Sequence, residues 1–145
     1  MQERRSSPAS GPRATFAELA RRALEKNVRE ARQPGVHWGA KANLGWVRWQ
    51  DSEGHYVYLA LRRHLDWVTG EIGVSPDPVE LETLELRAEP DRADGAKYRV
   101  RLGHLLHDED KWWPARGSAK ALQDCLTWIA LQMGVKLSAF LRQSA

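Results

Sequence analysis

Apolar positions divide this chain into a helix near each end with strand-like runs between them. Phe16, Leu19, Ala20, Ala23, Leu24 and Val28 recur every three or four residues, which is the period of one helix face. Ahead of them Thr15-Phe-Ala-Glu18 has the form of a capping box, with Thr15 as N-cap and Glu18 reaching back to it. Arg21, Arg22, Lys26, Arg29 and Arg32 fall on the other face, and Gln33-Pro34-Gly35 stops the helix. A loop containing His37 and Trp38 is expected next.

Beyond that loop the pattern shortens to strand spacing. LGWVRWQ (44–50), DSEG (51–54) and HYVYLALRR (55–63) predict a hairpin, and DWVTGEIGVS (66–75) a third strand. Pairing Gln50 with His55 puts Trp46, Arg48, Gln50, His55, Val57, Leu59 and Leu61 on one face. Val47, Trp49, Tyr56, Tyr58, Ala60 and Arg62 then share the other. Both faces are mixed, so alternation leaves open which one meets the core.

VELETLELRA (79–88) carries two signals. Pro78 suits a first helical turn, while L-E-L-R alternates, and a short helix or irregular segment is expected. AKYRVRLGHLL (96–106) predicts a fourth strand, with Tyr98, Val100 and Leu102 on one side and Lys97, Arg99 and Arg101 on the other. Ser118 is the expected N-cap of a last helix whose stripe is Leu122, Cys125, Leu126, Ile129 and Met133. Gly134 is its expected stop, with Leu137, Phe140 and Leu141 in a further turn or two. The element order predicts an α+β fold, an antiparallel sheet of about four strands with an N-terminal and a C-terminal helix packed on one face. Residues 1–13 are expected to be a disordered basic tail, and 14–145 a single domain.

Composition sharpens this in two places. Tryptophan is abundant, at seven of 145 residues, and a large ring with an N–H that needs a partner favours grooves and interfaces. Charge is uneven: residues 1–48 hold ten Lys/Arg and four Asp/Glu, although the whole chain is only +3. The single cysteine, Cys125, excludes an intrachain disulfide and favours a reduced, cytoplasmic setting. The start has no apolar signal core, and the longest apolar stretch, CLTWIALQMGV, is too short and interrupted to span a bilayer, so no membrane partner is expected.

The candidate chemistry is sparse. His104, His107, Asp108 and Asp110 are ligand types suited to zinc or manganese, but on an extended strand His104 and His107 would face opposite ways. A metal-dependent hydrolase there is the third-ranked reading. No nucleophile motif, phosphate loop or cofactor fingerprint occurs, Cys125 falls in an apolar stripe, and His37, His55 and His64 are scattered. No cofactor and no catalytic residue is assigned. Trp49, Tyr56 and Tyr58 beside Arg21, Arg22 and Arg29 suggest single-stranded nucleic acid as the second reading, by stacking and phosphate contact. The first is a non-enzymatic protein that binds a protein partner through exposed Arg99, Arg101, Trp112 and Trp113, with Trp49 and Arg62 as a second patch.

Phe16 and Leu19, Glu71 to Val74, and the run Arg99, Arg101, Leu102, Gly103, Leu105, Leu106, Asp110, Lys111, Trp112 and Trp113 together resemble a family of small bacterial α+β domains of unknown function. The resemblance covers roughly residues 14–135 by order of elements, with its specific motif at 99–113. It implies a compact α+β fold and, by analogy of class, an immunity-type or accessory role, and it brings no catalytic residue with it.

Overall fold

The computed structural model describes residues 14–144, so the expected tail at 1–13 lies outside the described residues. Helix α1 (Phe16–Asn27) begins with the capping box: Glu18 N donates to Thr15 Oγ1 at 3.1 Å and Thr15 N donates to Glu18 Oε1 at 2.8 Å. Two N–H groups that helix geometry leaves without partners are thereby satisfied. A single 3₁₀ turn at Arg29–Arg32 follows.

Strands β1 (His37–Lys41), β2 (Leu44–Gln50), β3 (Tyr56–His64) and β4 (Trp67–Ser75) run as an antiparallel meander. The segment expected as a loop around His37 and Trp38 is therefore an edge strand. Gly39 shows why five mixed residues pair there. The Trp46 indole packs directly against it, and a Cβ on Gly39 would come 2.2 Å from that ring. Further along, a 3₁₀ turn at Leu81–Thr83 leads to the short strand β5 (Glu85–Arg87), so VELETLELRA carries both of its signals in succession.

Strand β6 (Tyr98–Arg101) pairs antiparallel with β4 and parallel with β5. It ends at Arg101, earlier than the sequence suggests: residues expected as strand form α2 (Leu102–His107). Residues 102–112 leave the sheet edge, and the chain returns to it as β7 (Trp113–Pro114), again against β4. Among the described residues the sheet has seven strands, in the order β1-β2-β3-β4-β6-β5 with β7 beside β4. The α+β class is as expected; the strand count is larger because three short edge pieces carry too little alternation to announce themselves.

Helix α3 (Ala119–Ser144) starts at Ser118, whose Oγ accepts from Ala121 N at 3.0 Å. It continues through Gly134, which faces Asn27 O and Val28 of the α1 end at ordinary contact distance. The glycine sits at a helix crossing and does not stop the helix.

Helices α1 and α3 pack on one sheet face, where Val47, Trp49, Val57, Leu59, Leu61, Ile72 and Val100 meet Leu24, Leu126, Ile129 and Met133. The second face buries Leu44, Trp46, Tyr58 and Ala60 under Leu81 and Leu84 of the connector. Both faces of β3 are thus covered, which is why YVYLALRR reads as a nearly continuous apolar run. The hairpin register differs by one residue from the expected pairing: Gln50 faces Tyr56, not His55. A one-residue slip exchanges faces. Trp49 therefore joins Val57 beneath the helices at 7% exposure, while Tyr56, Tyr58 and Arg62 point to the other side.

Candidate functional site

Glu71 is the centre of the second face. It sits mid-strand in β4 and is fully buried, yet it is a carboxylate among Thr, Gly and Ile. Such a group is stable only if its charge and lone pairs are met. Three arginines meet them. Arg62 from β3 donates to both oxygens, Nε to Oε2 at 2.9 Å and Nη2 to Oε1 at 3.2 Å. Arg99 Nη1 donates to Oε1 at 3.0 Å and Arg101 Nε to Oε2 at 3.2 Å, both from β6. Each oxygen accepts two N–H groups.

The arginines are held in turn by groups outside the strands. Arg99 Nε donates to Leu84 O at 3.1 Å, Arg62 is paired with Glu82, and Arg101 Nη1 donates to Asp110 Oδ2 at 2.8 Å. The hydrogen bond from Arg62 holds the Glu82 carboxyl below its ordinary range. Burial opposes the charge of Arg62, and its bonds to Glu82 and Glu71 outweigh that effect and raise its pKa. Arg101 also lies over the Trp112 ring, 4.9 Å from its centroid, and His64 approaches the same ring edge-on at 6.5 Å.

Asp110 and Trp112 reach Arg101 because the 109–111 backbone closes tightly on α2. A Cβ on Gly103 would lie 2.4 Å from Lys111 N and 2.5 Å from Glu109 O, so only glycine fits there. Thr69 Oγ1 donates to Lys111 O at 3.0 Å and ties the returning chain to β4.

Beside this network lies a groove of about 460 Å³ lined by Lys41, Leu44, Arg62, Arg63, His64, Glu82, Arg101 and Trp112, with the β1–β2 turn as one wall. Arg63 donates through Nε and Nη2 to Asn43 Oδ1 at 3.2 and 3.0 Å and covers the Phe16 ring. No described carboxylate makes an ion pair with Lys41 or Arg63. Network and groove together hold Lys41, Arg62, Arg63, Arg99 and Arg101 against Glu71, Glu82 and Asp110, an excess of positive charge.

No family model matches the chain, and neither does any curated protein or solved structure.

Of the six residues expected to bind a partner, Arg62, Arg99, Arg101 and Trp112 converge here. They do so as half-buried groups: the arginine side chains keep 18%, 12% and 17% of their surface. The exposed basic row inferred from the alternation is corrected accordingly. Trp113 turns to the helix side and packs on Trp128, ring centroids 5.2 Å apart, and Trp49 is buried there as well. The stacking set expected for nucleic acid is also divided. Tyr58 is fully buried, its hydroxyl donating to Val79 O at 2.7 Å, while Arg21, Arg22 and Arg29 belong to α1 and the turn after it, on the helix side.

His104 and His107 lie on α2, not on a strand, and Asp108 is its left-handed cap at φ +58°. Among the described residues, three donor atoms of the metal-binding types approach within 4.8 Å of one another only at Asp51, Glu53 and His55; no three of His104, His107, Asp108 and Asp110 do so. That trio follows from the hairpin turn: Asp51 Oδ1 accepts from the N–H groups of Glu53 and His55, each at 2.9 Å. The Cys125 thiol is half-buried and burial raises its pKa, the opposite of an activated nucleophile.

Sequence reading missed Glu71, Glu82, Lys41, Arg63 and His64 as members of the site. One signal was there to find: a lone glutamate inside the small and apolar run VTGEIGV.

Proposed function

We propose that this chain is a non-enzymatic binding protein that receives an acidic segment of a partner protein in the groove beside Glu71. The observation that carries this reading is the excess of positive charge around the groove, where Lys41 and Arg63 make no ion pair with a described carboxylate, next to the Arg101–Trp112 stack. Arg62 and Arg101, which line the groove, are fixed by Glu71 before any partner arrives, so little side-chain freedom is lost on binding. Trp112 adds a rigid aromatic surface of the kind that anchors interfaces. Within this reading, the immunity-type or accessory role rests on the family resemblance at residues 99–113.

The test is a fluorescence titration of the full chain with an Asp/Glu-rich peptide, its Asn/Gln counterpart and oligothymidine. Saturable binding of the acidic peptide alone, weakened at least about tenfold by Lys41→Glu with Arg63→Glu, supports the proposal. Equal binding of the neutral peptide, or no effect of the double substitution, removes it. Preferential, steeply salt-dependent binding of oligothymidine would transfer the groove to single-stranded nucleic acid.

A further inference from the structure

Helix α3 is apolar on two opposite sides. Leu126, Met133 and Phe140, seven residues apart, lie in the core at no more than 1% exposure. The opposite side carries Asp124, Trp128, Leu131, Val135, Ser138 and Arg142, all exposed, and their spacing is four, three, four, three, four. That is the spacing of a coiled-coil a/d seam, apolar at its three central positions. Trp128, Leu131 and Val135 at its centre are 40%, 44% and 71% exposed; Trp113 packs on one side of the Trp128 ring, and no described element covers Leu131 or Val135.

We propose that this seam pairs antiparallel with the same seam of a second copy of the chain, making a two-fold dimer. The seam is self-complementary. In an antiparallel pair related by a two-fold axis, each a position faces a d position, and residues equidistant from the axis meet. With the axis at Met133, Leu131 faces Val135 of the other copy, Trp128 faces Ser138, and Asp124 faces Arg142. Apolar meets apolar, the largest side chain meets a small one, and opposite charges close both ends. A parallel pair would instead set Asp124 against Asp124 and Arg142 against Arg142.

Local structure favours the same arrangement. Trp113 packs on the Trp128 ring and braces it. The flanking positions Cys125, Gln132 and Ala139 carry no charge, whereas Thr127 and Gly134 lie on the side that faces α1. Asp124 already holds Lys120 at 3.2 Å along its own helix, and its exposed carboxylate has acceptor capacity for a second cation.

Sedimentation velocity of the full chain across the micromolar range tests this, with circular dichroism confirming that each variant is folded. A concentration-dependent dimer is expected. Leu131→Glu should weaken it at least about tenfold, and so should Asp124→Arg or Arg142→Asp alone. The double variant Asp124→Arg with Arg142→Asp should return to within about threefold of the original. A monomer at every concentration overturns the proposal, as does a dimer indifferent to Leu131→Glu. A double variant as weak as either single one would eliminate the antiparallel register.

Discussion

Arg101 and Glu71 stand directly opposite each other across β6 and β4, and the Arg101 Nε donates to the buried carboxylate at 3.2 Å. Arg62 and Arg99 complete the same shell from strands far apart in sequence. One fully buried charge therefore orients three guanidinium groups and, through Arg101, the ring of Trp112. The second sheet face is organised by this ion network next to its small apolar cluster.

Removing the charge at the centre tests that dependence. Glu71→Gln leaves three half-buried arginines facing a neutral amide, and loss of one partner from a buried ionic group costs about 3–5 kcal/mol. Urea unfolding should show a midpoint lowered by a corresponding amount with little change in slope. A loss below about 1 kcal/mol would mean that the arginines find other partners at no expense.

Arg101→Lys separates charge from shape. A lysine keeps the cation, but one ammonium lacks the planar fork that reaches Glu71, Asp110 and the Trp112 ring together. A loss of about 1–2 kcal/mol is expected, with a red shift of tryptophan emission as Trp112 becomes wetter. Unchanged emission would show that the stack does not hold the ring.

What could be read from the chain and what could not divides along sequence distance. The Thr15–Glu18 box and the Ser118 cap are local hydrogen-bond patterns, and both form as expected. The core stripe of α3 is local too. The hairpin register turned on whether Gln50 meets His55 or Tyr56, and that is decided by Asp51, which caps the turn through its side chain and bonds His55 O through its N–H. Arg62, Arg99 and Arg101 stood out by composition. Their common partner lies 9, 28 and 30 residues away from them, and periodicity cannot join such distances. The strand expected to run to residue 106 breaks at Leu102 because the 109–111 backbone packs against Gly103, again a non-local contact.

Gly103→Ala probes that contact. The added methyl would overlap Lys111 N and Glu109 O, backbone atoms that cannot rotate away. Overpacking of this kind costs about 1–3 kcal/mol. Because the displaced segment carries Asp110 and Trp112, acidic-peptide binding should weaken together with stability. Loss of stability with binding intact would detach the groove from α2.

Glu82 gives the groove a pH dependence of known sign. Its hydrogen bond from Arg62 lowers its folded pKa below the ordinary 4.5, so its stabilising contribution is complete above 4.5 and is lost as pH falls through the lower folded value. Comparing thermal midpoints of the original chain and Glu82→Gln cancels the other carboxylates. The difference should be constant from neutral pH down to 4.5 and shrink below it. A difference that grows in acid would contradict the pairing with Arg62.

Tyr58 tests how the connector is held over the sheet. Its ring is fully buried and its hydroxyl donates to Val79 O at 2.7 Å, an acceptor that Arg48 Nη1 also reaches at 3.3 Å. In Tyr58→Phe the carbonyl keeps the arginine, so the expected loss is about 1 kcal/mol, the net value of one hydrogen bond. Burial raises the Tyr58 pKa above the ordinary 10.0, partly offset by Arg48. A group that holds its proton more tightly when folded stabilises the fold below its unfolded pKa, and that contribution disappears as pH rises through the folded value. The original chain should therefore lose stability in alkali faster than Tyr58→Phe, and ultraviolet titration should show one late tyrosine that the variant lacks. Identical alkaline curves would place the hydroxyl in water and leave the connector without this anchor.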